Sequence, residues 1–348
     1  MDGYRWRLLL IFLCLTVHCV PTQAQSSSIN TLSHIGPYKS LKCKRITIDI
    51  PDVDVWYARL AKRPVFSSDA TKYAADIDAD ITPGSGEYIA VKSLAGDPDI
   101  ILNPRPDNDY TKGTVKLSGV VNGRPNLQYI HPCDWSPDSS KLLIAGRSGE
   151  EGFSASIWAI DLKAMKGSPV SRELRDEKAD SASFSPDGRL VAYVVTPEKH
   201  DKRVGGGLLD AWSDQILIAN VDGTNTKRLA RGSDAAWSPD SKRLLIVSAD
   251  HLVLADTAGK HRNLTFPVLK GVGIGSIGWL DDSHFVVTVI ERTEGYRRFH
   301  SVWILDSRGQ RLQVIESANL DHVWPQTKTL ILVEEHLDRK GDLWLVKY

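Results

Sequence analysis

The chain has little of what marks most enzymes, metal proteins and membrane proteins. It contains four cysteines and two methionines among 348 residues, and it has no G-x-S-x-G, C-x-x-C or H-E-x-x-H motif. The sequence signals of a hydrolase nucleophile, a redox pair or a zinc protease site are therefore missing. Forty-three basic residues balance 43 acidic residues, so the chain also lacks the basic excess that is typical of nucleic-acid binding proteins.

No apolar run reaches the roughly 20 residues that cross a bilayer, and the longest one lies at the N-terminus. Arg5 and Arg7 precede an apolar stretch from Leu8 to Val17, and Thr22-Gln23-Ala24 offers the small residues of a cleavage site. This pattern predicts a secretory signal peptide over residues 1–24. We expect an exported protein, periplasmic or extracellular, with no membrane span after cleavage. An uncleaved leader that is kept as an anchor is the alternative.

Cleavage of the leader would remove Cys14 and Cys19 and leave Cys43 and Cys133. Two cysteines in an exported protein can form a disulfide. However, Cys133 stands beside Trp135 at a position where other copies of the repeat described below have alanine. This favours a buried free thiol, and the pairing of Cys43 with Cys133 stays the alternative.

What the chain does contain is a repeated phrase, an aromatic residue followed by Ser-Pro-Asp and an apolar run. Proline presets φ in the turn, and Asp and the residue after it tolerate the conformations that follow. Successive copies begin 42 to 54 residues apart, three of them complete and three weaker: Trp135, Phe184 and Trp237, and Ile81, Trp279 and Trp324. Repeats of this length with several short strands each are typical of β-propeller blades. The sequence predicts an all-β protein, a six-bladed β-propeller of four-stranded antiparallel blades.

The last repeat supplies three strands before Tyr348, so its fourth strand must come from elsewhere. Arg45–Ile50 and Val53–Leu60 both have alternating patterns that suit this strand. We predict a ring closed by pairing of N- and C-terminal segments, which removes exposed sheet edges. The expected organisation is a signal peptide at residues 1–24, a linker at 25–44 and the propeller at 45–348.

The repeated phrases resemble those of the TolB-type propellers, a WD40-like family with Ser-Pro-Asp-Gly repeats. The resemblance covers roughly residues 75–348 and implies a six-bladed propeller that acts as an exported scaffold and binds a partner across one face. In this family a small α/β domain precedes the propeller. About fifty residues separate the leader from the first repeat, which is too few for such a domain.

Three aspartates, Asp78, Asp234 and Asp321, stand three residues before their anchor positions. Period-two alternation along a strand places this column on the opposite face from residues two before the anchor. We expect it at one mouth of the central channel, where it could hold a cation such as Ca²⁺ or a ligand amine. The competing interpretation is that each aspartate caps the backbone of its own turn.

Long charged insertions are predicted between the second and third strands of several blades. Arg203, Tyr296, Arg297 and Arg298 lie in two of them and are our candidates for partner contacts, because arginine and tyrosine are enriched at interface hot spots. The competing interpretation is a set of solvated loops without a partner.

We interpret the chain as an exported, monomeric binding scaffold for an envelope protein or a carbohydrate ligand, with no nucleic-acid partner and no certain cofactor. The alternative is a secreted propeller enzyme that resembles oligogalacturonate lyases and has a metal or carboxylate site at the channel mouth. Such a site needs several histidines, and only His131 and His322 lie near anchor strands. An enzyme is therefore the less favoured interpretation.

Overall fold

The computed structural model describes residues 42–46, 64–69, 71–78, 87–93, 100–103, 114–116, 127–148, 154–164, 166–171, 177–197, 214–249, 251–264, 266–294, 297–334 and 342–348. The predicted leader and most of the predicted linker lie outside these ranges. In the described part of the chain, no helix has the length and apolarity to cross a membrane.

Six sheets form the six blades of a ring, and the first three follow one another along the chain. Blade one has β2 (Val65–Phe66), β3 (Lys72–Asp78), β4 (Glu87–Ser93), β5 (Ile100–Asn103) and β6 (Thr114–Lys116). Blade two has β7 (Leu127–Trp135), β8 (Lys141–Ser148), β9 (Ser154–Asp161) and β10 (Lys166–Pro169). Blade three has β11 (Glu177–Phe184), β12 (Leu190–Pro197), β13 (Gln215–Asn220) and β14 (Lys227–Arg231).

The last three blades follow in the same way, and the strands of each are again given from the innermost to the outermost. Blade four has β15 (Asp234–Trp237), β16 (Arg243–Ser248), β17 (His251–Asp256) and β18 (His261–Leu264). Blade five has β19 (Gly273–Asp281), β20 (His284–Glu294), β21 (Arg297–Asp306) and β22 (Arg311–Glu316). Blade six has β23 (Ala318–Trp324), β24 (Thr329–Glu334), β25 (Asp342–Lys347) and, from the N-terminal segment, β1 (Lys42–Ile46).

The predicted six-bladed, almost entirely β architecture is confirmed, and blade one departs from it in one respect. Its strand β6 pairs parallel with β5, whereas the other strand pairs in the described sheets are antiparallel. Blade one therefore has five strands instead of the predicted four.

Strand β1 forms the outer edge of blade six. It pairs antiparallel with β25 from Lys42, opposite Lys347, to Ile46, opposite Leu343. The strand overlaps Arg45–Ile50, one of the two segments expected to supply it, and begins at Lys42, inside the expected linker. The second expected segment, Val53–Leu60, lies outside the described residues. Closure of the ring by this pairing stays a prediction, for which truncation is the test.

The first repeat begins at a different residue from the one that the sequence indicated. Ile81 lies outside the described residues, and β3 is the second strand of its blade because it pairs with β2 on one side and β4 on the other. The inner strand is β2, and its last residue, Phe66, precedes Ser67-Ser68-Asp69. Phe66 is therefore the anchor of blade one, and the assignment of Ile81 was wrong.

Neighbouring blades pack through the anchor aromatics, as expected. Trp135, Phe184, Trp237 and Trp279 each expose 6% of their surface or less. The cluster around Phe184 combines side chains of blades two and three, and comparable clusters join the other blades. Burial of such large apolar surfaces is the main favourable contribution to folding, so the ring is stabilised blade against blade.

Candidate functional site

The turn that follows each complete anchor is built by one serine and one aspartate. In blade two, the Ser136 hydroxyl donates to Asp138 Oδ1 at 2.6 Å and accepts the Lys141 N–H at 2.8 Å. Asp138 also accepts the Ser140 N–H at 3.1 Å. The hydrogen bond from Ser136, followed by those from Ser140, lowers the pKa of the Asp138 carboxyl despite its partial burial.

The same contacts recur in blades one, three and four. The serine hydroxyl meets the aspartate oxygen at 2.6 Å in each of the pairs Ser67–Asp69, Ser185–Asp187 and Ser238–Asp240. Neighbouring turns also bond to each other: the Ser68 hydroxyl donates to Pro137 O at 2.6 Å, and the Asp187 N–H donates to Ser241 Oγ at 3.0 Å. We call these four turns (residues 67–72, 136–141, 185–190 and 238–243) the turn rim.

A central cavity of about 500 Å³ extends along the inner strands to the turn rim. All six blades contribute to its lining, one example from each being Ser68, Asp134, Ser181, Asp234, Ser276 and Asp321. The lining residues of the described chain include carboxylates, hydroxyls and one histidine, but no lysine or arginine. A cavity of this size is in the range of small-ligand sites.

Asp134 is a carboxylate of the cavity that is held by two backbone groups. Its Oδ1 accepts the Trp135 N–H and its Oδ2 accepts the Phe184 N–H, both at 2.8 Å. The second bond joins blade two to blade three. Burial raises the pKa of the Asp134 carboxyl to about 7, and the two backbone N–H groups oppose that rise.

Asp234 repeats this arrangement in blade four. It accepts the Ala235 N–H at 2.8 Å and a backbone hydrogen bond from Ile277 of blade five. Burial raises the pKa of its carboxyl to about 6, again against the effect of the two backbone donors. Asp234 therefore lines the cavity, and it also accepts hydrogen bonds from backbone amides.

His322 faces Asp134 from blade six. Its Nε2 lies 3.7 Å from Asp134 Oδ1, and its ring lies 4.6 Å, centroid to centroid, from that of Trp324. Burial lowers the pKa of His322 to about 4. An ionised Asp134 would oppose this shift, but the same burial keeps Asp134 protonated until near neutral pH, so the pKa of His322 stays below its usual range.

The three predicted cation ligands are not brought together. Asp234 and half-buried Asp321 line the cavity, whereas Asp78 lies at the end of β3, opposite Glu87 of β4, in the second strand of blade one. The column that contained Asp78 depended on Ile81 as an anchor. Among the described residues, no group of three or more His, Cys, Asp or Glu side chains could hold a metal ion. The structure therefore does not identify Asp234 and Asp321 as metal ligands.

The predicted partner contacts fall partly outside the described chain. Arg203 and Tyr296 lie outside the described residues. Arg297 and Arg298 begin β21 and pair with Glu294 and Thr293 of β20. The segment expected to be a loop in blade five is therefore mostly a long β-hairpin. This hairpin lies at the opposite end of the blade from the turn between β19 and β20.

Cys133 forms no disulfide bond in the described part of the chain, in agreement with the thiol that the sequence favoured, but its predicted burial was wrong. It is half-buried, packs against the cluster between blades two and three, and lines the cavity. This gives the cavity a nucleophilic sulfur atom that thiol reagents can label.

Sequence reasoning missed Asp134, and it considered His322 only for the metal site of the enzyme alternative. Asp134 immediately precedes its anchor, Trp135. Strand alternation puts this position on the same face as Asp234, which stands three residues before its own anchor. A comparison of the residues directly before each anchor would therefore have identified Asp134. His322 stands in the column expected to pack between blades. The register shift between Leu320 and His322 interrupts the alternation there, and no sequence signal marked that bulge.

Two solved structures with TM-scores of 0.50 or above support the propeller assignment. Prolyl oligopeptidase B from Galerina marginata, bound to a 25mer macrocyclization substrate, matches with a TM-score of 0.51 and 13% identity, over 80% of this chain and 39% of that chain. Its apo form matches with a TM-score of 0.50 and 13% identity, over 80% and 38%. TolB from Acinetobacter baumannii matches with a TM-score of 0.47 and 15% identity, over 80% and 64%.

The chain spans less than two thirds of the length of each of these structures. At such identities the likeness shows the fold alone, and the propeller that the TolB-type repeats implied is confirmed at that level. No protein-family profile and no curated protein sequence matches the chain.

Proposed function

We propose that this protein is an exported binding scaffold whose central cavity receives a positively charged group of its ligand. One observation carries the proposal: all six blades line a single cavity of about 500 Å³ that contains Asp134, Asp234 and Asp321 and, among the described lining residues, no lysine or arginine. We expect export because the first 24 residues have the pattern of a signal peptide.

The charge of the lining indicates the chemistry of the ligand. Carboxylates in surroundings of low dielectric constant attract a cation more strongly than they do in water. The side chains of Ser181 and Ser276, which line the same cavity, can accept further N–H donors of the ligand. An ammonium or guanidinium group fits this set, because each has several N–H donors and no acceptor.

The most suitable partner is an envelope protein that presents a lysine, an arginine or an amino terminus; a carbohydrate with an amino group has the same chemistry. A propeller suits this role because its inner strands are held by packing on both sides and its turns are tied by hydrogen bonds. The binding site therefore needs little ordering when the ligand enters, which limits the entropic cost of association.

The test is capture of envelope partners on the immobilised protein, followed by elution with 1,4-diaminobutane or, in parallel, with uncharged 1,4-butanediol. We expect the diamine alone to release the specific partner. The double variant Asp234→Asn/Asp321→Asn should capture at least about tenfold less, the change that ~1.4 kcal/mol represents. Asp282→Asn is the matched control, because the Asp282 side chain is 71% exposed and is not among the lining residues.

Equal elution by the diol, or unchanged capture by the double variant at an unchanged melting temperature, would contradict the proposal. Cleavage of pectic oligosaccharides that is lost on substitution of Asp234 or His322 would support the enzyme alternative instead. N-terminal sequencing of the secreted protein checks export, and a mature chain that begins at Gln25 is the expected result.

A further inference from the structure

Asp134 and His322 meet although their blades are not neighbours in the ring. Side chains of blade one pack against blade two in one buried cluster and against blade six in another, so blade one lies between them. Its inner strand is short, with only Val65 and Phe66 in β2. Past this short strand, Asp134 Oδ1 and His322 Nε2 approach to 3.7 Å.

Both side chains are held in place by contacts that do not involve each other. The two backbone N–H groups of Trp135 and Phe184 fix the Asp134 carboxylate, one on each oxygen. The His322 ring packs against Trp324, which is itself buried. The distance between the pair is therefore set by the ring as a whole, and neither group can turn into bulk water without losing these contacts.

We propose that Asp134 and His322 together form a proton-binding site that sets the charge of the central cavity, so that protons and a cationic ligand compete for it. The choice of a cationic ligand rests on the proposed function, whereas the proton site itself does not.

Burial disfavours the charged form of each member, and the two effects leave one proton on the pair over a wide range. The pKa of Asp134 is raised to about 7 and that of His322 is lowered to about 4, each by burial above all. Between these values the pair holds one proton, on the Asp134 carboxyl, and carries no net charge. Above about pH 7 the proton leaves and a carboxylate faces the cavity.

Other titratable groups line the same cavity and face the pair. They are Asp69 of the turn rim, Cys133 of β7, Tyr193 of β12, Asp234 of β15 and Asp321 of β23; the lining residues of β19, Ser276 to Trp279, include none. Asp69 keeps its charge at neutral pH because its hydrogen bonds to Ser67 and Thr71 outweigh its partial burial, and its pKa is lowered.

Asp234 extends the effect of the pair to lower pH, because burial raises its pKa to about 6. The cavity thus loses negative charge in steps as the pH falls from about 8 to 5. We expect a lysine or arginine side chain of the ligand, which stays protonated throughout this range, to bind above neutral pH and to be released in mildly acidic surroundings.

Cys133 allows the charge of the cavity to be measured without knowing the ligand. In the triple variant Cys14→Ser/Cys19→Ser/Cys43→Ser, Cys133 is the one remaining thiol of the four. It can be labelled with two methanethiosulfonates, one carrying a trimethylammonium group and the other a sulfonate. Both react with the thiolate, so the ratio of their rates cancels the ionisation of the thiol and reports the local charge.

We expect the ratio of cationic to anionic labelling to fall about tenfold from pH 8 to pH 6, since one charge roughly 6 Å from each reagent changes its rate about threefold in opposite directions. Asp134→Asn should give a low ratio at both pH values. His322→Gln should lower the midpoint by about one pH unit, because glutamine has no basic nitrogen that can share the proton of the pair. Asp282→Asn should behave like the parent.

A ratio that is the same at pH 8 and pH 6 would overturn the proposal, and so would an unchanged midpoint in His322→Gln, since Asp134 would then act alone. A second readout covers failure of the thiol to react: the ring ¹H and ¹³C shifts of His322, assigned by their loss in His322→Gln. They should titrate near pH 7 in the parent and lose this step in Asp134→Asn. Loss of partner capture with an intact proton step would instead overturn only the proposed function.

Discussion

The indole N–H of Trp237 donates to the carbonyl oxygen of Ser183 at 3.2 Å, and in doing so it joins blade four to blade three. Trp135 and Trp279 make the same bond to the blade before them, at 2.9 Å to Val65 O and 3.1 Å to Ala236 O. Each acceptor immediately precedes an anchor aromatic. At Phe184, which has no indole, the carboxylate of Asp134 bonds the backbone N–H instead.

Replacing Trp237 by alanine should therefore destabilise the protein by about 3–5 kcal/mol, the usual range for a large buried aromatic. Trp237→Phe keeps much of the packing but removes the hydrogen bond to Ser183. It should therefore lower the free energy of unfolding by only ~1 kcal/mol, the usual contribution of one hydrogen bond. Urea unfolding monitored by circular dichroism measures both. A loss below about 1 kcal/mol for Trp237→Ala would mean that the position is not part of the core.

The turn rim should make stability sensitive to acid. The pKa of Asp138 is lowered in the folded state, chiefly by its hydrogen bond from Ser136. Its contribution is therefore present above its ordinary value of 3.8 and is lost as the pH falls further. Asp138→Asn should reduce the dependence of the melting temperature on pH in this acidic range. Thermal melts between pH 2 and pH 6 provide the measurement, and a parent-like slope in the variant would contradict the assignment.

The buried cavity groups should give the opposite slope at higher pH. A carboxyl whose pKa is raised on folding stabilises the fold at low pH and loses that contribution as the pH rises. From 3.8, the contribution of Asp234 should decline up to about pH 6 and that of Asp134 up to about 7. His322, lowered from 6.5 to about 4, should make stability rise with pH across that window.

Between about pH 4 and pH 6, the stabilising contributions of the two carboxyls fall as the pH rises, and that of the histidine increases. Because two groups act against one, the three together should make the free energy of unfolding fall as the pH rises. Asp234→Asn removes one of the two falling contributions and should leave this interval nearly flat. Urea unfolding at half-unit pH steps makes the comparison. A variant that keeps the slope of the parent would show that Asp234 is not buried as described.

The pairing of β1 with β25 predicts the effect of truncation. Deleting residues 25–62 removes Lys42–Ile46 and exposes the edge of β25, so we expect loss of cooperative unfolding. Deleting only residues 25–41 keeps β1 and is the matched control. Calorimetry should show one sharp transition in the control and a broad one in the longer deletion. Identical melts for both would mean that the ring does not depend on this strand.

The arginines of the blade-five hairpin stay our candidates for a second contact with the partner. Arg297→Gln/Arg298→Gln should weaken capture of an envelope partner and leave the melting temperature unchanged, because the backbone pairs of both residues with β20 remain. Arg228→Gln/Arg231→Gln, on the outer strand of blade three, is the control for loss of two charges. Equal capture by both double variants would show that the hairpin is not part of the interface.

Much of the fold was predictable because its signals are local. A serine and an aspartate two residues apart make the same hydrogen bonds in every complete turn, whatever surrounds them, and so the repeat could be recognised from Ser136, Ser185 and Ser238. The copy at Ser67 was missed because Ser68 stands where the other turns have proline. That turn keeps the same bonds, since proline presets the turn but takes no part in them.

By itself, the sequence determined the all-β class, the number of blades and the identity of the aromatic core, because these depend on repeated short-range patterns. Only the tertiary structure decided which side chains share the cavity. Asp134 and His322 are 188 positions apart in the chain, and their 3.7 Å contact depends on a short inner strand in blade one and a bulge in blade six. Neither feature has a sequence signature, because strand length and register here are set by packing between blades.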